Sequence, residues 1–257
     1  MDNLALYAKQ AMSKKQRVWF VGDCALKKGV GVCFELGFTD TNEDDQAATD
    51  DFGFRSRAVM LPRTASILQF AGVTAHAYDA APTPAGQPID IYLPGSAAMV
   101  QTAVDTVCGT TEVQCQTQEH GITGTKTSAV ISGKTVTQTG GDLINDGVLA
   151  GDVFYISAGT GPKTGGYTIA SVTSAEVLVL ENAPGDYAAA SADLVYVVIK
   201  RAHASGTFYD ASASGVFVAS SGYGKSCAYA MQTSDYVSTS NSVLCKLSEG
   251  DDNVGVT

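Results

Sequence analysis

The chain has 257 residues, of which 45% are hydrophobic and only 16% charged, with a formal net charge of −10. This composition supports a packed core and excludes global disorder, while the acidic balance argues against direct nucleic-acid binding, which needs clustered Lys and Arg. Few charges, abundant Gly, Ala, Ser and Thr, and many short β-forming runs point to an all-β protein held in an assembly rather than to an enzyme with long surface helices.

Residues 1–17 read as a polar arm, ordered by a neighbour if at all. It ends in the longest basic run, Lys14, Lys15 and Arg17 around Gln16, with Trp19 just beyond. Such a run is a contact for an acidic protein surface or simply a solvated face, the commoner role of exposed charges. Residues 1–13 lack the apolar centre of a secretion signal. No apolar run approaches the roughly 18 residues needed to cross a bilayer. The first strong strand is 18–21 (VWFV), closed by Gly22 and Asp23. A second β run covers 29–38 (GVGVCFELGF), where Gly29, Gly31 and Gly37 permit bends.

Residues 39–51 (TDTNEDDQAATDD) form an acidic loop. Asp40, Asn42, Asp44 and Asp51 fall at the first, third, fifth and twelfth positions of a calcium loop of the EF-hand kind. Asp45 stands where that loop needs Gly, and no helices flank it, so a solvated surface loop is the better reading. The β pattern continues through 54–60, stops at Leu61 and Pro62, and resumes at 67–70 (ILQF). After a Pro/Gly loop at 80–87, residues 88–93 (PIDIYL) alternate as a strand and end at Pro94 and Gly95. Short strands are expected at 99–107 and 112–116.

Residues 121–141 are polar and Thr-rich, with 129–132 and 135–139 placed to pair as a hairpin across Gly133 and Lys134. Three runs follow, VFYIS at 153–157, YTIASV at 167–172 and EVLVL at 176–180, separated by small polar turns; this is the pattern of an antiparallel meander. Residues 194–199 (LVYVVI) are almost wholly apolar and predict a buried strand. The last strands are expected at 206–209, 215–219, 226–232 and 242–247, before a loose acidic tail. Strand-sized runs at this spacing, with no long helical stripe, indicate a sandwich or barrel.

Motifs that carry chemistry are incomplete. Gly224, Lys225 and Ser226 end like a phosphate-binding loop, but Ala219 occupies the required upstream glycine and the flanks are β. Gly29 and Gly31 begin a dinucleotide fingerprint that Phe34 ends. His76, His120 and His203 have no metal-ligand spacing and read as polar filler. No GxSxG elbow marks a nucleophile. The six cysteines, Cys24, Cys33, Cys108, Cys115, Cys227 and Cys245, form no CxxC pair and read as buried free thiols, with cross-strand pairing in an oxidising medium left open. Tyr155, Tyr167 and Tyr187 are either a sugar-stacking platform or, more cheaply, core packing and turn covering.

Residues 86–93 (GQPIDIYL) with 95–116, and 224–247 (GKSCAYAMQTSDYVSTSNSVLCKL), resemble the small capsid decoration, or cement, proteins of tailed bacteriophages. The first stretch looks like the G-x-P-V-x-V run that enters their barrel, and the second like their closing hairpin, here 225–232 and 242–247. Residues 64–77 (TASILQFAGVTAHA) resemble another strand of that family. Residues 147–181 resemble a small β module of phage head and tail proteins. The basic arm and the acidic loop depart from the family pattern, and the insert at 121–201 makes the chain larger than the simplest members.

The resemblance implies an all-β fold, with a β-barrel or β-tulip body, an inserted antiparallel β module and an extended N-terminal arm. The expected division is an arm at 1–17, a discontinuous barrel body at 18–120 and 202–248, an inserted module at 121–201, and an acidic tail at 249–257. The implied role is a virion structural protein, not an enzyme and without cofactor, metal or catalytic residues. It would sit on the outer capsid surface, bind the major capsid protein, and self-associate, as a homotrimer. Nucleic acid and membrane are not expected as partners. Lys14, Lys15, Arg17 and Trp19 are the expected contact with the capsid or a neighbour. The meander, 142–182, is expected to fold semi-independently and to be removable without loss of attachment. A phage tail or neck protein is the alternative within the same setting, and a carbohydrate-binding β-protein on the virion is the alternative from another class.

Overall fold

In 15–20 (KQRVWF) Lys15 and Arg17 are exposed while Val18 and Phe20 are buried, and this period of two makes the segment a strand, β1 (Lys15–Phe20). The computed structural model describes residues 13–35, 58–64, 66, 69–81, 86–125, 129–188, 193–201, 215–219, 228–234 and 241–247. The first strand is followed by β2 (Gly31–Phe34), β3 (Ala58–Met60), β4 (Phe70–Thr74) and β5 (Gln87–Tyr92). These five close into a barrel in the order β1-β3-β2-β4-β5. Its longest seam is antiparallel, β1 on β5, from Lys15 opposite Tyr92 to Phe20 opposite Gln87.

Next come β6 (Ala97–Thr102) and β7 (Glu112–Cys115). After a long excursion the chain returns as β15 (Phe217–Ala219), β16 (Ala228–Ala230) and β17 (Asn241–Leu247). These five form a second closed barrel, ordered β15-β6-β17-β16-β7. The hairpin expected near the end of the chain is present, with Ala228 opposite Leu247 and Ala230 opposite Cys245. The body expected over 18–120 and 202–248 is therefore two barrels. Their seam is tight enough to require glycine. Gly31 N donates to Gly215 O at 2.8 Å, and a Cβ on Gly31 would overlap the Cys115 sulfur and lie 3.3 Å from the Phe217 ring.

The excursion is one seven-stranded sheet. It contains β8 (Glu119–Thr125), β9 (Ala129–Ser132), β10 (Thr135–Gln138), β11 (Val153–Ala158), β12 (Gly165–Val172), β13 (Val177–Leu180) and β14 (Val195–Ile199), in the order β8-β14-β11-β12-β13-β10-β9. The meander is its centre. The tight hairpin is there too, with Ser132 opposite Thr135 and Gly133 at φ 56°, the left-handed conformation a two-residue turn demands. Strand β8 was not expected, because its residues are polar and glycine-rich; β14 pairs with it.

The apolar run in β11 has a structural reason. Val153 and Tyr155 face the first barrel and join its core with Val197 and Ile199 of β14. Phe154 and Ile156 face the other way, into the module's own core with Tyr196 and Val198. Strands buried on both faces need apolar residues at every position. The inserted sheet thus shares a core with Val18, Phe20, Met60 and Ile89 rather than standing apart. This corrects the expectation of a removable module. Excising 119–201 should leave a chain without cooperative thermal unfolding, followed by circular dichroism; a deletion product that melts like a native domain would contradict the shared core.

The expected 17-residue arm also shortens, since Lys15 and Arg17 belong to β1. Residues 1–12, the acidic loop at 39–51, the strand expected at 206–209, the Gly224–Ser226 turn and the tail lie outside the described residues.

Candidate functional site

The expected contact residues share one surface. Along β1, Lys15, Arg17 and Trp19 point outward, each opposite an outward residue of β5: Tyr92, Asp90 and Pro88 respectively. The Lys15 ammonium stands 5.0 Å over the Tyr92 ring. The Arg17 guanidinium donates to both Asp90 carboxylate oxygens at 3.0 and 3.2 Å, and that hydrogen bond and charge hold the Asp90 carboxyl below its usual range. The pair is solvated and contributes little to stability. Trp19 is half-buried against Val21 and Ala58, and Lys14 is exposed. The result is a ribbon face that mixes two cations with aromatic and proline surface. It runs along β1, and the residues just after the strand meet the inserted sheet: Gly166 N donates to Val21 O and Asp23 N to Gly166 O, each at 3.1 Å.

Three polar clasps fix the inserted sheet, two of them against the first barrel and one within the sheet itself. The first is Asp23, 1% exposed, whose Oδ1 accepts from the Thr168 amide at 2.7 Å and its hydroxyl at 2.6 Å, while Oδ2 accepts from Asn182 Nδ2 at 2.9 Å. It ties the first barrel to β12. The second is a forked ion pair. Arg63 donates to both oxygens of Glu35 at 2.7 Å, and its guanidinium lies 4.8 Å over the ring of Tyr155 in β11. Burial pushes the Tyr155 hydroxyl well above its usual range and keeps it neutral.

The third clasp is His120 with Asp152. His120 Nε2 lies 2.7 Å from Asp152 Oδ2, and Nδ1 lies 2.8 Å from Asp146 O. A carbonyl only accepts, so Nδ1 carries a proton and donates. Asp152 further accepts from Leu149 N and Arg201 N, both at 3.0 Å. It thereby joins the start of the inserted sheet at β8, its 142–152 turn, and its exit at Arg201. The His–Asp pairing has the look of a catalytic dyad, but both ring nitrogens are already bonded, so neither is open to a nucleophile's proton. Sequence reasoning missed this clasp: His120 read as filler, and nothing local linked it to a residue 32 positions away.

The sugar-platform reading loses its residues. Tyr155, Tyr167 and Tyr187 are 1%, 0% and 2% exposed. The Tyr187 hydroxyl accepts from Asp193 N and Leu194 N, and the Tyr167 hydroxyl donates to Lys163 O, so the three serve core packing and turn closure.

Cys24, Cys33, Cys115 and Cys245 are buried and in no disulfide, as expected, whereas Cys108 is exposed and its Sγ–H reaches Met231 O at 3.2 Å. Cys227 lies outside the described residues. Burial pushes Cys24 up to about 11 and Cys245 up to about 12. At pH 8 a thiol with pKa near 11 is about one part in a thousand thiolate. Iodoacetamide on the native protein should therefore alkylate Cys108 and spare Cys24 and Cys245. Peptide mass spectrometry reads the pattern, and equal labelling of all three would refute this burial.

Compared with known protein families, curated proteins and solved structures, the chain gives no match.

Proposed function

We propose that the protein is a non-catalytic structural subunit of a virion, a decoration protein that binds the outside of a tailed-phage capsid and stabilises the assembled shell. The observation that carries this reading is the use of its reactive side chains. Asp23, Glu35, His120 and Asp152 are buried, with Arg63 half-buried, and all are engaged in fixing the inserted sheet, internally and against the first barrel. Buried ionic groups of this kind confer a fixed arrangement more than raw stability. A rigid β body suits a subunit that works by occupying a surface.

The outer face of β1 supports the same reading. Its basic, aromatic ribbon runs along the strand, and the inserted sheet docks at the residues that follow it. The ribbon is the face turned to the shell or to a neighbouring subunit in this reading, with the sheet on the outward side. Binding then favours the closed shell by mass action, and modest interfaces suffice because they repeat over many copies. Major capsid protein and further copies of this chain, as a trimer, are the proposed partners, on the outer surface of the particle.

Purified protein added to expanded, undecorated capsids should co-sediment to saturation. No binding at concentrations well above micromolar would overturn the decoration reading.

A further inference from the structure

The 142–152 turn spends a large amount of hydrogen bonding to present two aliphatic side chains to water. Leu143 and Val148 are buried in the module core, but their neighbours Ile144 and Leu149 are 59% and 54% exposed. The turn is held from within and below. Val148 N donates to Leu143 O at 3.0 Å, Asp146 N to Asp142 O at 2.8 Å, and Leu143 N to Ala175 O at 2.8 Å. His120 Nδ1 donates to Asp146 O, and Asp152 Oδ2 accepts from Leu149 N. A preorganised turn loses little conformational freedom when its tip is covered, which is what a contact site requires. Exposed Asp142 and Asp146 flank the two aliphatics.

We propose that this turn docks onto the β1/β5 ribbon of a second copy of the chain, a head-to-tail contact. Charge complementarity selects the occupant. Two turns facing each other would oppose Asp142 and Asp146 to their own copies, which electrostatics disfavours. The ribbon offers the opposite sign, one net positive charge from Lys15 with Arg17 shared by Asp90, and Trp19, Pro88 and the exposed part of Tyr92 as apolar floor for Ile144 and Leu149. Turn and ribbon are different surfaces of one chain, so the contact is heterologous, and repetition closes a ring or extends a chain. The contact rests on the structural-subunit reading and names the surfaces through which that subunit self-associates. It is measured without shells, so its failure and a failure to bind capsids are separate results.

The test uses the full-length protein and two variants, Ile144→Ser with Leu149→Ser, and Lys15→Glu with Arg17→Glu. All these side chains are exposed, and unchanged circular dichroism verifies folding. In sedimentation velocity at about 50 mM salt and about 100 μM chain, where screening is weak and micromolar contacts are populated, the wild type should self-associate. Higher salt should weaken it. Each variant should sediment as a monomer. Mixed in equal amounts, the two variants should form a two-chain complex and nothing larger, because the mixture retains one intact turn and one intact ribbon. A monomeric wild type, variants that associate like wild type, or a mixture that stays monomeric would each overturn the proposal.

Discussion

Replacing Asp152 by Ala should destabilise the protein by about 3–5 kcal/mol, the combined cost of leaving a buried imidazole and two backbone amides without their acceptor. Asp152 is 0% exposed and serves three donors: His120 Nε2, Leu149 N and Arg201 N. His120 is 3% exposed, so its ring cannot turn to water when the carboxylate is removed. The other two are part-buried backbone amides that lose their acceptor. For a chain of this size the loss corresponds to a fall in Tm on the order of 10 °C. Asp152→Asn, which retains an acceptor oxygen, should fall between wild type and Ala. Thermal melts by circular dichroism measure both. A shift below about 1 kcal/mol for Asp152→Ala would mean that the clasp carries no more than a surface pair.

Gly86→Ala should be comparably damaging for a different reason. Gly86 sits immediately before β5 with φ 84°, and a Cβ there would overlap the Phe20 carbonyl oxygen and lie 3.1 Å from Trp19 Nε1. The left-handed conformation alone costs a non-glycine residue roughly 1–2 kcal/mol. Displacing packed backbone adds about 1–3 kcal/mol more. The β1/β5 seam must open to admit the methyl group, so the first barrel should lose stability. Gly133→Ala is the control. Gly133 has φ 56° but no atom within 4 Å of a built Cβ, and its cost should stay near the conformational term alone. Chemical denaturation of the two variants separates these contributions, and equal midpoints would show that the contact with Phe20 is not rigid.

The two glycines also show what could be seen in the sequence. Gly133 was legible because its requirement is local: a two-residue turn between alternating strands. The meander, the LVYVVI strand and the closing hairpin were legible on the same terms, as short β runs bounded by turn residues. Gly86 looked like one more loop glycine, since the carbonyl that excludes a side chain belongs to Phe20, far back in the chain. Strand β8 was missed because EHGITGT has no apolar pattern; its pairing with β14 makes it a strand. The division of the body into two barrels rests on pairings such as Phe217 with Thr102, which no local signal encodes. The clasps were illegible for the same reason. Asp23 meets Thr168 across 145 residues of sequence. Of the expected contact residues, Lys15 and Arg17 read as the end of the arm, and only the pairing of β1 with β5 puts them on one face with Trp19. The aromatic and proline floor supplied by β5 was hidden for the same reason.

The apolar run of β11 carries the main structural lesson for function. Read alone, it marked the centre of a guest module. In the structure it is the shared wall between that module and the first barrel, with Tyr155 on one side and Phe154 on the other. A subunit whose insert is fused into its core behaves as one body when it is bound to a surface.

Imaging of virions at a resolution that resolves subunits tests the central claim most directly. The expected result is density for this chain on the outer face of the shell, repeated with the capsid lattice, with the inserted sheet directed away from the capsid floor. Density confined to the tail or neck, or its absence from the particle, would contradict it.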